Sequence, residues 1–182
     1  IHPGDAILLN DPYRGGTHLN DVTLIVPVFD ESGKMIIFPA VRAHWVDVGG
    51  MVPGSYSGMS TNVYQEGVRI PPIKIYEKGK PNKAAITLLM ANMRVPEERE
   101  GDLNASLGAC RVAESRIRKL IERYGAETVR GGLQAVPSGQ EEAATALGLG
   151  PLRSMRLVAV PQALRLVVPA MERQGGGAIV RL

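Results

Sequence analysis

The chain has a single cysteine, Cys110, among its 182 residues. That excludes an internal disulfide framework and fits a reducing compartment, so a cytoplasmic location is expected. A lone free cysteine on a helix most often acts as a small apolar residue. No apolar run approaches the roughly 18 residues needed to cross a bilayer, so no membrane span is expected. No signal peptide is read at the start, which opens on Ile1-His2-Pro3-Gly4-Asp5 as if cut from something longer. The net charge is only +3, and no Lys/Arg block alternates with aromatics, so a nucleic-acid partner is not expected. Aromatics are scarce at 4% of residues, and none lies beyond Tyr124.

What is present is ordinary for a globular chain: 45% apolar and 21% charged residues. The length suffices for one domain with a real core. The pattern predicts a mixed α/β chain of the α+β type, with a strand-rich N-terminal half followed by long amphipathic helices. Strands are expected over residues 6–9, 22–29, 35–38 and 41–48, where β-branched residues are separated by turn punctuation. Residues 51–66 show no period and are expected to form a long ordered loop, packed by Tyr56, Met59 and Tyr64. Residues 82–94 predict a helix ended before Pro96, because a residue preceding proline avoids the α region. Pro96-Glu97-Glu98 then marks the start of a second helix. Leu103, Leu107, Cys110, Ala113, Ile117, Leu120, Ile121 and Tyr124 recur at three- and four-residue steps, one apolar stripe closed by Gly125. Arg111, Arg116, Arg118 and Lys119 lie mostly off the stripe, on a solvated face.

Two of the three histidines occupy one small pattern. His18-Leu19-Asn20-Asp21 and His44-Trp45-Val46-Asp47 are both His-x-x-Asp, each beside a glycine pair. Imidazole and carboxylate suit a divalent metal such as Zn, Mn or Fe. On an extended strand, positions i and i+3 face opposite ways, so convergence requires a bend. The alternatives are a shared metal site, or hydrogen-bonded pairs that merely orient the rings. Asp21 and Asp47 are candidates for ligands or for orienting partners. His2 is incidental. Asn10-Asp11-Pro12-Tyr13 reads as an Asx/proline turn. Gln65-Glu66-Gly67-Val68-Arg69-Ile70-Pro71-Pro72 places Glu66 and Arg69 ahead of a rigid Pro-Pro, either as an ion pair or as functional groups.

Longer motifs carry a resemblance. Asn10-Asp11-Pro12-Tyr13-Arg14-Gly15-Gly16-Thr17-His18-Leu19-Asn20-Asp21-Val22 resembles the signature of the hydantoinase B/oxoprolinase family. So do Arg42-Ala43-His44-Trp45-Val46-Asp47-Val48-Gly49-Gly50, Pro53-Gly54-Ser55, the Gln65 to Pro72 motif, Asn92-Met93-Arg94-Val95-Pro96-Glu97-Glu98-Arg99 and Gly101-Asp102-Leu103. The similarity covers about residues 1–130. It implies a partial domain of a two-component enzyme, with N-methylhydantoinases, 5-oxoprolinases and acetone carboxylases among its relatives. An A-type subunit would bind ATP and phosphorylate a small cyclic amide or ketone substrate. The B-type part would complete hydrolysis, or alternatively carboxylation, at a divalent metal. The resemblance implies His18, Asp21 and His44 as metal ligands with Asp47 adjacent. Asp11, Tyr13, Glu66 and Arg69 are the candidate catalytic residues beside them.

Residues 135–182 have no aromatic residue, no Lys and no Asp, and are expected to be an unrelated helical tail. Glu142-Ala143-Ala144, Gly148 and Val158-Ala159-Val160-Pro161 resemble the EAA loop of ABC-transporter permeases, which would imply an ABC ATPase as partner. The Gly175-Gly176-Gly177 stretch more weakly resembles a strand entry of short-chain dehydrogenases. A fused or misassembled segment is the competing account of this tail.

Overall fold

The computed structural model describes residues 1–134; the expected tail and its EAA-like motif lie outside the described residues. Residues Ile1–Arg116 form one compact unit, and a second begins at Ile117. The architecture of the first is α+β. Strands β1 (Ala6–Leu9), β2 (Asp21–Ile25), β5 (Ala40–His44), β6 (Ile73–Glu77) and β7 (Lys80–Pro81) form an antiparallel sheet in the order β5-β2-β1-β6-β7. Strands β3 (Val28–Phe29) and β4 (Met35–Ile37) pair separately.

The strand expected over residues 22–29 is therefore split. Val26-Pro27 interrupts it, since proline has no N–H for a ladder. The strand expected over residues 41–48 stops at His44, where Trp45 turns into the core at 1% exposure. Strand β6 was not anticipated; its Ile-x-Ile-x-Glu alternation is short and follows two prolines.

Alternation along β2 fixes its two faces. Val22 and Leu24 are buried, whereas Asp21, Thr23 and Ile25 lie on the half-exposed side. Leu24 stands opposite Leu8 of β1, so the inward residues of neighbouring strands meet. Helices α1 (Lys83–Ala91) and α2 (Pro96–Tyr124) add Leu89, Met90, Leu103, Leu107 and Cys110 to the same cluster, which also holds Trp45, Val48 and Ile75. Each such large apolar side chain contributes about 1.5–3 kcal/mol on burial. Asn82 caps α1, its Oδ1 accepting from Ala85 N at 3.1 Å. This helix ends at Ala91, earlier than expected, because residues 92–95 form the turn into α2. Val95 there takes φ +51°, an unfavourable value for a β-branched residue.

Helix α2 has the expected bounds. Leu103, Leu107 and Cys110 are buried, while Ile117, Leu120, Ile121 and Tyr124 are only partly so. Arg111, Arg116, Arg118 and Lys119 are exposed, as the stripe requires. Burial pushes the Cys110 thiol up to about 11, in keeping with an apolar role. Helix α3 (Ala126–Gln134) follows Gly125, which takes φ +81°. No helix among the described residues is long and apolar enough to cross a membrane.

Candidate functional site

The two His-x-x-Asp motifs meet across strands rather than within themselves. Asp21 opens β2 and His44 closes β5, and the antiparallel register sets them directly opposite each other. Opposed residues share a face, so both project from the outward side of the sheet. Asp21 Oδ1 lies 2.9 Å from His44 Nδ1. Two register positions along, Arg42 Nε donates to Thr23 Oγ1 at 3.3 Å on that same side.

His18 reaches the pair through a bend. Asp21 N donates to His18 O at 2.9 Å and Val22 N to Asn20 O at 2.9 Å, folding residues 18–22 tightly. The His18 and His44 rings stack at 5.5 Å between centroids, 23° apart in plane. Two imidazoles and a carboxylate thus lie side by side, with His44 the most exposed.

Buried asparagines hold this arrangement. Asn20 Nδ2 donates to Trp45 O at 2.8 Å, and Trp45 N donates back to Asn20 O at 2.8 Å. The residue between His18 and Asp21 is thereby tied to the residue after His44. Asn10, fully buried, donates from Nδ2 to Leu19 O (2.7 Å) and Val68 O (2.9 Å), and accepts from Ile70 N (2.6 Å). Gly16 passes so close to the Asn10 and Asp11 carbonyls that any Cβ there would collide with backbone. Its place at the head of the Asn-Asp-Pro motif is the sequence signal for this role.

Asp47, expected as a further ligand or an orienting partner, bonds neither histidine and turns into the loop after β5. Its carboxylate accepts from Gly49 N at 2.8 Å and Gly54 N at 2.7 Å, and pairs with Arg94 Nη1 at 3.2 Å. Burial alone would raise its pKa, but these donors together hold it below the ordinary carboxylate value. Arg94 also donates to the carbonyls of Gly49, Gly50 and Val52. Buried Ser55 accepts from Val48 N and donates to Gly49 O, both at 2.7 Å. Asp47, Ser55 and Arg94 therefore build the loop after β5. Arg94 was legible only as part of the Asn92 to Arg99 motif.

Of the four candidate catalytic residues, three are brought together. Asp11 Oδ1 accepts from Tyr13 N at 3.0 Å, the expected Asx turn. Asp11 Oδ2 lies 3.7 Å from Arg69 Nε, whose guanidinium sits over the rings of Tyr13 and Tyr64. Arg69 thus pairs with Asp11 and not with Glu66. The Glu66 backbone closes the turn over Val63–Gln65 and packs against Gly50.

Among the described residues no group of three or more His, Cys, Asp or Glu is gathered that could hold a metal ion. The donor chemistry nevertheless fits one in part. Imidazole and carboxylate are donor types that a divalent ion accepts, although Asp21 Oδ1 and His44 Nδ1 face each other at 2.9 Å and leave His44 Nε2 as the ring's open donor.

An antiparallel sheet backed by helices, with a histidine–carboxylate cluster on its outer face, defines an α+β protein with a polar surface site. A family model, hydantoinase B/oxoprolinase, matches residues 1–148. The chain belongs to that family. It is 41% identical over 130 residues to caprolactamase subunit beta of Pseudomonas jessenii, covering 71% of this chain and 22% of that protein. It is 36% identical over 155 residues to 5-oxoprolinase 1 of Arabidopsis thaliana, covering 79% of this chain and 12% of that one. The crystal structure of the ATP-dependent caprolactamase from Pseudomonas jessenii superposes with a TM-score of 0.68 at 40% identity, over 72% of this chain and 22% of its own. A nucleotide-free acetone carboxylase shares the fold, with a TM-score of 0.66 at 20% identity. The chain thus spans about a fifth or less of these relatives. Residues 123–181 match a second model, the inner membrane component of binding-protein-dependent transport systems.

Proposed function

We propose that this chain contributes the metal-dependent half of an ATP-dependent cyclic-amide hydrolase, with His18, Asp21 and His44 as the metal-holding residues. The observation that carries the reading is the cross-strand pair Asp21–His44 with His18 stacked beside it. The names of the relatives, caprolactamase and 5-oxoprolinase, support a small cyclic amide as substrate. ATP would be bound by an A-type partner subunit.

A divalent ion bound there would supply Lewis-acid polarisation of a carbonyl or activation of water. The chain's own residues set the geometry. With Asp21 Oδ1 accepting from Nδ1–H, His44 keeps its lone pair on Nε2, available to ligate or to take a proton. Asn20 and Trp45 fix the backbone on both sides of the pair, so neither side chain must search for the other. Asp47 and Arg94 shape the adjoining loop without touching the reacting groups.

Equilibrium dialysis of the chain against Zn²⁺, Mn²⁺ and Fe²⁺ tests the metal part. Stoichiometric binding lost in His44→Ala is the expected result; binding indifferent to His18 and His44 overturns it. The reaction is tested by adding an A-type subunit and ATP to a hydantoin, 5-oxoproline or caprolactam. Ring opening supports the hydrolase, whereas bicarbonate-dependent consumption of a ketone would identify a carboxylase instead.

A further inference from the structure

The guanidinium of Arg69 is built into an unusual setting. Its Cζ lies 5.8 Å from the centroid of Tyr13 and 5.6 Å from that of Tyr64. Both rings are about three-quarters exposed. Its Nε faces Asp11 Oδ2 at 3.7 Å, too long for a hydrogen bond. The same oxygen is 3.9 Å from Arg14 Nε, so two guanidinium groups share one carboxylate and a positive charge is left over. Among the described residues the guanidinium donates no hydrogen bond, and 37% of the side chain is open to solvent.

The backbone beneath it is fixed. Val68 O and Ile70 N, on either side of Arg69, both bond the buried Asn10 amide, and Asn10 N and Asp11 N both donate to Ile70 O. Asn10 also holds Leu19 O, next to His18, so one buried side chain anchors both clusters. A planar cation lying over two aromatic rings, with its donor edge unsatisfied, is organised for two-point recognition of an oxyanion.

We propose that Arg69, lying over the rings of Tyr13 and Tyr64, binds an anionic oxygen group of the substrate, either a carboxylate or a phosphoryl group. The physiological ligand rests on the cyclic-amide reading above, but the binding chemistry does not depend on it. The two rings limit how the guanidinium can turn, the Asp11 carboxylate lies 3.7 Å from its Nε, and the Nη groups are left for the ligand. Arg69 is thereby a specificity-determining residue, and Tyr13 and Tyr64 position it.

The test follows the arginine Nε–Hε correlations of the full chain by NMR, without added metal, during titration with inorganic phosphate and separately with sodium acetate at constant ionic strength. A saturable shift of the Arg69 correlation, which Arg69→Lys assigns by removing it, is the expected result. Saturation by phosphate alone assigns a phosphoryl group, by acetate alone a carboxylate, and by both an oxyanion in general. Replacing both rings (Tyr13→Leu with Tyr64→Leu) should weaken binding by at least about tenfold, since the fork is then no longer pre-organised. Both tyrosines are exposed, and circular dichroism checks that the variant remains folded. No saturable shift with either anion, or saturation that moves only other arginine correlations and leaves that of Arg69 in place, overturns the proposal. Because no metal is present, such a failure leaves the His18–His44 reading standing, and a failed metal titration leaves this one standing.

Discussion

Asp21 and His44 come from separate His-x-x-Asp motifs, yet they face each other across β2 and β5 with 2.9 Å between Oδ1 and Nδ1. Within each motif the aspartate goes elsewhere. Asp47 turns to Arg94 and the backbone of the following loop, and Asp21 turns to the other motif's histidine. The pair therefore depends on strand register, and a one-residue slip would separate it.

If that pair helps to hold a metal, Asp21→Asn should weaken Zn²⁺ or Mn²⁺ binding by about 10–100-fold even in an orienting role. Asp47→Asn should leave metal affinity unchanged. Isothermal titration of both variants decides this. A larger effect from Asp47→Asn would put the wrong carboxylate at the centre of the site.

Asn10→Ala should be severely destabilising. It strands two carbonyls and one N–H in the interior, each costing about 1–3 kcal/mol when unsatisfied. A loss of at least about 3 kcal/mol is expected from urea denaturation. A loss under about 1 kcal/mol would mean that water or relaxation replaces all three bonds.

Arg94→Lys keeps the charge but cannot span Asp47 and three carbonyls with one fork. The Gly49 and Gly54 amides should exchange faster with solvent, since their bonds to Asp47 lose support. Hydrogen exchange at those two amides is the readout. Unchanged protection would show that Asp47 and Ser55 hold the loop without Arg94.

Along α2, Leu107→Ala should cost about 2–5 kcal/mol as a buried truncation. Leu120, only partly buried, should cost less than half as much on the same substitution. Equal losses in chemical denaturation would show that both ends of the stripe are equally packed.

Asp5 sets an acid limit. It is fully buried, and burial alone would raise its pKa. The Lys78 backbone, the Lys74 ammonium 3.0 Å away and the His2 backbone together bring it down to about 2 from 3.8. The folded state thus releases this proton more readily than the unfolded one. The resulting stability is complete above about pH 4 and is lost as pH falls toward about 2. Asp5→Asn should lower stability at neutral pH and flatten that acid limb in urea titrations; an unchanged slope would assign the limb to other carboxylates.

The sequence by itself determined the class of fold, the bounds and inner face of α2, and the Asx turn at Asp11. Those features are local, because helical period, turn chemistry and residue type are written in neighbouring positions. Tertiary structure decided which aspartate meets which histidine, that Arg69 pairs with Asp11 rather than Glu66, and that Asn10 and Arg94 are the anchors. Each of these joins residues between 23 and 60 positions apart. Their distances are set by strand register and by the need to satisfy buried polar groups, and no pattern of adjacent residues encodes either.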